Sequence, residues 1–149
     1  MQWGDVVLYQ FLLDIGLTSK KSLTLGALCI PDKYFFDFLR GCFDGDGCFY
    51  SYFDPRWKSS FMFYLNFVSA SEAYTNWIRA TVFRLVGMKG HISKTLGDGK
   101  KKHDMFSLRY AKKEGLVVLQ KMYSSRRVVH LSRKRLKIVK ALRIVNLSL

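Results

Sequence analysis

Acidic residues are scarce in this chain: its 149 residues include 11 Asp+Glu against 25 Lys+Arg, a formal net charge of +14. So strong a positive field makes nucleic acid the first partner to consider; an anionic membrane surface and a ribosome are compatible with the same charge. Cysteine is sparse as well. Cys29, Cys42 and Cys48 are odd in number and lack C-x-x-C spacing, which excludes a disulfide framework and points to reduced, mostly buried thiols. A zinc site using Cys42, Cys48 and a histidine is the alternative. No apolar run is long enough to cross a bilayer. The opening "MQWGDVVLYQFLLDIGL" has neither a basic start nor a small-residue cleavage site, so no secretion signal is expected. These absences predict a protein that is not secreted and has no membrane partner: cytoplasmic and nucleoid-associated, or organellar.

What is present is core-forming material, 49% hydrophobic and 15% aromatic, enough for a packed domain. Helical spacing of Val6, Val7, Leu8, Phe11, Leu12 and Ile15 predicts a helix over 5–16, ended by Gly16. Pro31 suits the first turn of a second helix, 32–45, in which Tyr34, Phe35, Phe38, Leu39, Cys42 and Phe43 form a wide apolar face. From Cys48 the period becomes two. "CFYSYF" and "SSFMFYLNFVS" read as strands joined by "DPRWK". Ser69 with Glu72 makes a capping box for a helix through Val86, ended by Gly87. A second hairpin, "GHISKT" and "DMFSLRY" around "LGDGKKKH", precedes a short helix near 112–123 and a basic one near 132–146. The plan is α+β, with one antiparallel four-stranded sheet. Residues 1–30 read as an N-terminal helix and connector, and residues 31–149 as the main domain. "TSKKSLTL" (18–25) echoes "SSRRVVHL" (124–131), as if the opening repeated the domain's tail.

The unusual stretch is "FLRGCFDGDGCFYSYF", 38–53, where two aspartates and three glycines fall between Gly41 and Gly47. Gly41 and Gly45 stand four apart, on one helical face, and let another helix approach closely. Asp44 and Asp46 sit at a helix C-terminus, where the dipole's negative end disfavours carboxylates. A divalent cation bound there would reverse that sign, since Mg²⁺ takes hard carboxylate and peptide oxygens. A glycine cap beside two solvated acids explains the same residues.

"LRGCFDGDG" (39–47) resembles the motif of the LAGLIDADG homing endonucleases, with Leu39, Gly41, Asp44, Asp46 and Gly47 in register. Arg40, Cys42 and Gly45 depart from the name-giving letters. The helix, two strands, helix, two strands that follow keep the family's order, and the resemblance covers about residues 32–146. It implies a curved sheet with helices on one face, αββαββα plus a C-terminal helix, that lies in a DNA major groove. It further implies metal-dependent cutting of double-stranded DNA by two motif helices packed side by side, from two chains or from two halves of one. Asp46 would bind Mg²⁺ or another divalent cation, with Gly45 beside it, while Gly41, Asp44 and Gly45 would form the helix interface. One motif per chain then means a homodimer or a missing N-terminal repeat.

The strand pattern agrees with a groove-facing ribbon. Tyr50, Tyr52, Arg56, Tyr64, Asn66, Ser107 and Arg109 share the parity of the DNA side, although the family's reading face is usually richer in Gln, Lys and Arg. In the basic run "HLSRKRLKIVK" (130–140), Lys134 is the catalytic candidate, with Arg133 on DNA and His130 next. Glu72, Glu114 and Asp5 read as caps or surface acids, and His91 and His103 as phosphate contacts. A DNA- or RNA-binding maturase or regulator on the same scaffold, and a basic RNA-binding protein, are the alternatives to an endonuclease.

Overall fold

Period-two alternation in the two hairpins sorts their residues between a buried and an open face. The computed structural model describes residues 4–19, 21–97, 103–124 and 128–149. In chain order the elements are α1 (Val6–Asp14), α2 (Asp32–Gly45), β1 (Cys48–Asp54), β2 (Trp57–Ser69), α3 (Glu72–Val86), β3 (His91–Thr95), β4 (Met105–Ala111), α4 (Lys112–Met122) and α5 (Ser132–Ile144). The strands pair antiparallel in the order β1-β2-β4-β3, so the chain is α+β, as its pattern predicts.

Phe49, Phe61, Phe63, Leu65, Phe67, Phe106, Leu108 and Tyr110 are buried on one face of the sheet. Against them pack Phe35, Leu39 and Phe43 of α2, Ile78 and Val82 of α3, Val118, Leu119 and Met122 of α4, and Ile138 of α5. The alternate residues, Tyr50, Tyr52, Tyr64, Asn66, Ser107 and Arg109, are half-buried or exposed on the other face. A direct consequence is measurable. Leu65→Ala, at a fully buried position, should lower unfolding free energy by about 3 kcal/mol, whereas Tyr64→Ala should cost only about 1 kcal/mol of ring stacking. Urea denaturation of both variants measures this; equal losses would contradict the assignment of faces.

Four local expectations need correction. The cysteines are not mostly buried: Cys29 and Cys48 are exposed and Cys42 is half-buried, because Cys29 lies in the connector and Cys48 at the edge-strand start. The cap of α3 is Ser71, whose Oγ accepts from the Tyr74 N–H. Ser69, the expected cap, still pairs with Phe106 in the sheet, so its Oγ only accepts from the Ser71 N–H at 3.0 Å. Pro31 is the residue before α2, not inside its first turn. Finally, the core face of α2 is narrower than expected. It buries Phe35, Leu39 and Phe43 together with Arg40, leaving Tyr34 exposed and Phe38 and Cys42 half-buried.

The expected caps and stops otherwise hold. Asp5 Oδ1 accepts from the Leu8 N–H at 3.0 Å, and Gly87 ends α3 at φ +73°, where a side chain would be strained. Glu114 Oε1 accepts from the Lys89 and Gly90 N–H groups. Helix α1 buries none of its residues; its connector folds back on the helix end, where Cys29 N–H donates to Ile15 O at 3.0 Å, and meets the body where Ser71 Oγ donates to Leu25 O. Lys20 and residues 125–127, part of the sequence echo, and residues 98–102 of the second hairpin loop lie outside the described residues. Among the described residues no helix is long and apolar enough to cross a membrane.

Candidate functional site

The last turn of α2 leaves carbonyls without helical partners, and a helix C-terminus of this kind attracts cations. Lys134, in the first turn of α5, supplies one. Its Nζ donates to Phe43 O at 2.6 Å, Gly47 O at 2.7 Å and Gly45 O at 3.2 Å. Burial, then the charge of Arg133, pulls this ammonium below its ordinary range, while Asp44, Cys48 and Asp46 push back. The chain closes tightly here because position 47 is glycine: an added Cβ would lie 2.5 Å from Phe43 Cδ2 and 2.6 Å from Phe43 Cα. Lys134 is thus a clamp on the foot of the motif helix.

Asp44, expected on a helix interface, turns inward instead. Its Oδ2 accepts from the Leu131 N–H at 2.8 Å, immediately before α5. Arg40 works from the preceding turn, donating from Nη1 to Met122 O at 2.6 Å and from Nε to Val129 O at 2.9 Å, with Asp37 at 2.7 Å from Nη2. Between them Tyr123 is pushed up to about 12, first by burial and then by the charge of Asp44. Both motif side chains therefore tie α2 to the approach to α5, and so help to hold Lys134 in place.

Asp46 is exposed as the C-cap of α2. It faces a cleft of about 600 Å³ lined also by Phe38, Cys42, Tyr74 and Val68. Lys134 faces a second cleft, of about 370 Å³, with Arg133, Lys137, Cys48 and Gly45. Gly47 lines both. The two catalytic candidates therefore look into adjoining clefts, and no salt bridge joins them among the described residues.

The oxygen donors at the helix foot are the Asp46 carboxylate, on the first cleft, and the carbonyl of the preceding residue, Gly45, which lines the second. A carbonyl oxygen has two lone pairs, and Lys134, at the longest of its three distances, uses one. A zinc cluster is not assembled. Among the described residues no three His, Cys, Asp or Glu side chains converge, and Cys42 Sγ instead lies 3.2 Å from the Tyr74 hydroxyl. Burial raises the pKa of the Cys42 thiol, outweighing that contact, which keeps it protonated and a poor metal ligand.

Six of the residues expected on nucleic acid, Tyr50, Tyr52, Tyr64, Asn66, Ser107 and Arg109, share the open face of the sheet, whereas Arg133 lies on α5 beside the second cleft. Tyr50 stands opposite Tyr64, and Asn66 is flanked by Cys48 and Arg109. His91 pairs with Arg109, and Ser107 with Val68 and Ser93. Arg56, in the β1–β2 turn, differs from the rest. It forks onto Asp54, with Nε at 3.2 Å and Nη2 at 3.1 Å, and the hydrogen bonds it donates hold that carboxyl below its usual range. Arg133 and His103 are exposed, while His130 is half-buried, with Nδ1 2.7 Å from Val128 O.

On the remaining side of α2, Gly41 and Gly45 are exposed, and a Cβ added at either meets nothing within 4 Å. That glycine face has no partner within the described chain. Sequence reasoning missed Arg40 and Lys137. Lys137 lies three residues beyond Lys134 on the same helical face, a spacing that would have found it. Arg40 gave one signal, a charge on an otherwise apolar helical stripe. Comparison with family models and with curated proteins finds no match to this chain.

Proposed function

We propose that this chain is a metal-dependent, site-specific endonuclease of double-stranded DNA, of the LAGLIDADG homing type, acting as a homodimer. The observation that carries this reading is the foot of α2. An exposed carboxylate, Asp46, stands where the helix dipole disfavours it, with peptide oxygens beside it and a cleft lined by Arg133, Lys134 and Lys137 adjoining.

Asp46 and Gly45 O fit a hard divalent cation, because Mg²⁺ commonly uses one or two carboxylates and completes its shell with water and substrate phosphate. Bound there, Mg²⁺ would supply charge neutralisation at the phosphodiester and lower the pKa of a coordinated water. The chain's own residues do the rest. Arg133 and Lys137 bind the phosphate from the basic cleft, Lys134 holds the helix foot in position, and the open sheet face lies along the major groove, which admits a β-ribbon. The exposed Gly41–Gly45 face pairs with its copy, bringing two Asp46 sites together, one for each strand. Such closed two-fold pairing is the commonest form of oligomer.

A second reading, a nucleic-acid-binding maturase or regulator without cleavage, draws support from Lys134, which already satisfies three carbonyls at the helix foot. A randomised duplex library incubated with the protein in Mg²⁺ or in EDTA separates the two. The expected result is retention that weakens steeply with salt, with a log–log slope of about −0.9 per phosphate contacted, and cut ends only in Mg²⁺. Retention without Mg²⁺-dependent ends would select the second reading, and salt-insensitive retention would contradict both.

A further inference from the structure

The open face of the sheet carries an arginine held by aromatic rings. Tyr50 and Tyr64 stack with centroids 5.1 Å apart and planes 18° apart, and Tyr52 extends the stack from Tyr64 at 6.2 Å. The guanidinium carbon of Arg109 lies 5.8 Å from the centroid of Tyr50 and 5.7 Å from that of Tyr64. Arg109 is exposed, and among the described residues it forms no ion pair. Ring faces attract the guanidinium without using its N–H donors, so the planar fork stays free while its motion is restricted. Restricting a long side chain before binding lowers the ordering cost of the complex.

In the middle row of the sheet, Arg109 stands between Asn66 and His91, on the surface proposed to meet the groove. A fork of parallel N–H donors matches one base edge there, the O6 and N7 acceptors of guanine. Each tyrosine offers a single hydroxyl, which cannot make that paired contact. The aromatic rings of this face therefore position an arginine.

We propose that Arg109, held against Tyr50 and Tyr64, fixes a guanine at one position of the recognised duplex, an inference that rests on the duplex-DNA reading above. The test is selection by binding alone. A randomised duplex library is retained on the protein in EDTA and sequenced for wild type, Arg109→Lys, Tyr64→Phe and Tyr64→Leu, with thermal melts confirming that each is folded. Wild type should enrich guanine at one position by about tenfold. Arg109→Lys keeps the charge and loses the fork, so that position should become indifferent while the others persist. Tyr64→Phe should keep the preference, and Tyr64→Leu should weaken it.

An unchanged guanine preference in Arg109→Lys would overturn the inference and leave the duplex reading standing. So would a uniform loss across all sequences, which marks a phosphate contact. If Tyr64→Leu does not fold, the comparison of wild type with Arg109→Lys decides, since Arg109 is exposed. If wild type retains duplexes without sequence preference, or retains none, the site-specific duplex reading falls and the role of Arg109 falls with it.

Discussion

Asp46→Asn should leave a folded protein that binds duplex DNA within about tenfold of wild type, or ~1.4 kcal/mol, and produces no cut ends. The side chain makes no hydrogen bond or salt bridge among the described residues, and only its backbone N–H is engaged, with Cys42 O at 3.0 Å. Replacing it therefore removes no internal contact. Neutralising a carboxylate at the negative end of a helix should even stabilise the fold, by about 0.5 kcal/mol. Removing one negative charge also cannot weaken attraction to phosphates. What is lost is the carboxylate next to Gly45 in the chain, the group proposed to hold a divalent cation. Gel assays of nicking and cutting, filter binding and a thermal melt measure the three quantities. Full cutting by the variant would remove Asp46 from the reaction.

Arg40→Leu should lower unfolding free energy by about 3 kcal/mol, roughly what two charge-assisted hydrogen bonds contribute. Arg40 is 8% exposed, and its guanidinium supplies partners for Met122 O and Val129 O, on the approach from α4 to α5. Leucine fills part of the volume but leaves both carbonyls unpaired. Because that approach leads to Leu131 and then to Lys134, the loss should loosen the foot of α2 as well. Chemical denaturation monitored by tryptophan fluorescence provides the number. An unchanged midpoint would show that these bonds are dispensable.

The sheet was legible in the sequence because alternation has a single period: once Phe61, Phe63, Leu65 and Phe67 face the core, Tyr64 and Asn66 must face away. Helix ends were legible at Gly16 and Gly87, where backbone φ values of +98° and +73° favour glycine. The cap of α3 was not, because Ser69 and Ser71 are both suitable and only pairing with β4 decides how far β2 runs. Nor were the partners of Arg40, Asp44 and Lys134. Each bonds to backbone groups 82 or more residues away, and every residue has a backbone, so no side-chain pattern reveals the choice. The stacked tyrosines were assigned to one face by parity, but the position of Arg109 over them depends on the register of β2 with β4.

The most direct test of paired action uses mixed dimers. Wild-type and Asp46→Asn chains carrying different tags are co-expressed, the mixed pair is isolated, and its products in Mg²⁺ are mapped on both strands of a selected duplex. If each Asp46 serves one strand of a two-fold assembly, wild-type pairs cut both strands and mixed pairs nick only one. Mixed pairs that cut both strands, or wild-type pairs that yield no Mg²⁺-dependent ends, would contradict it.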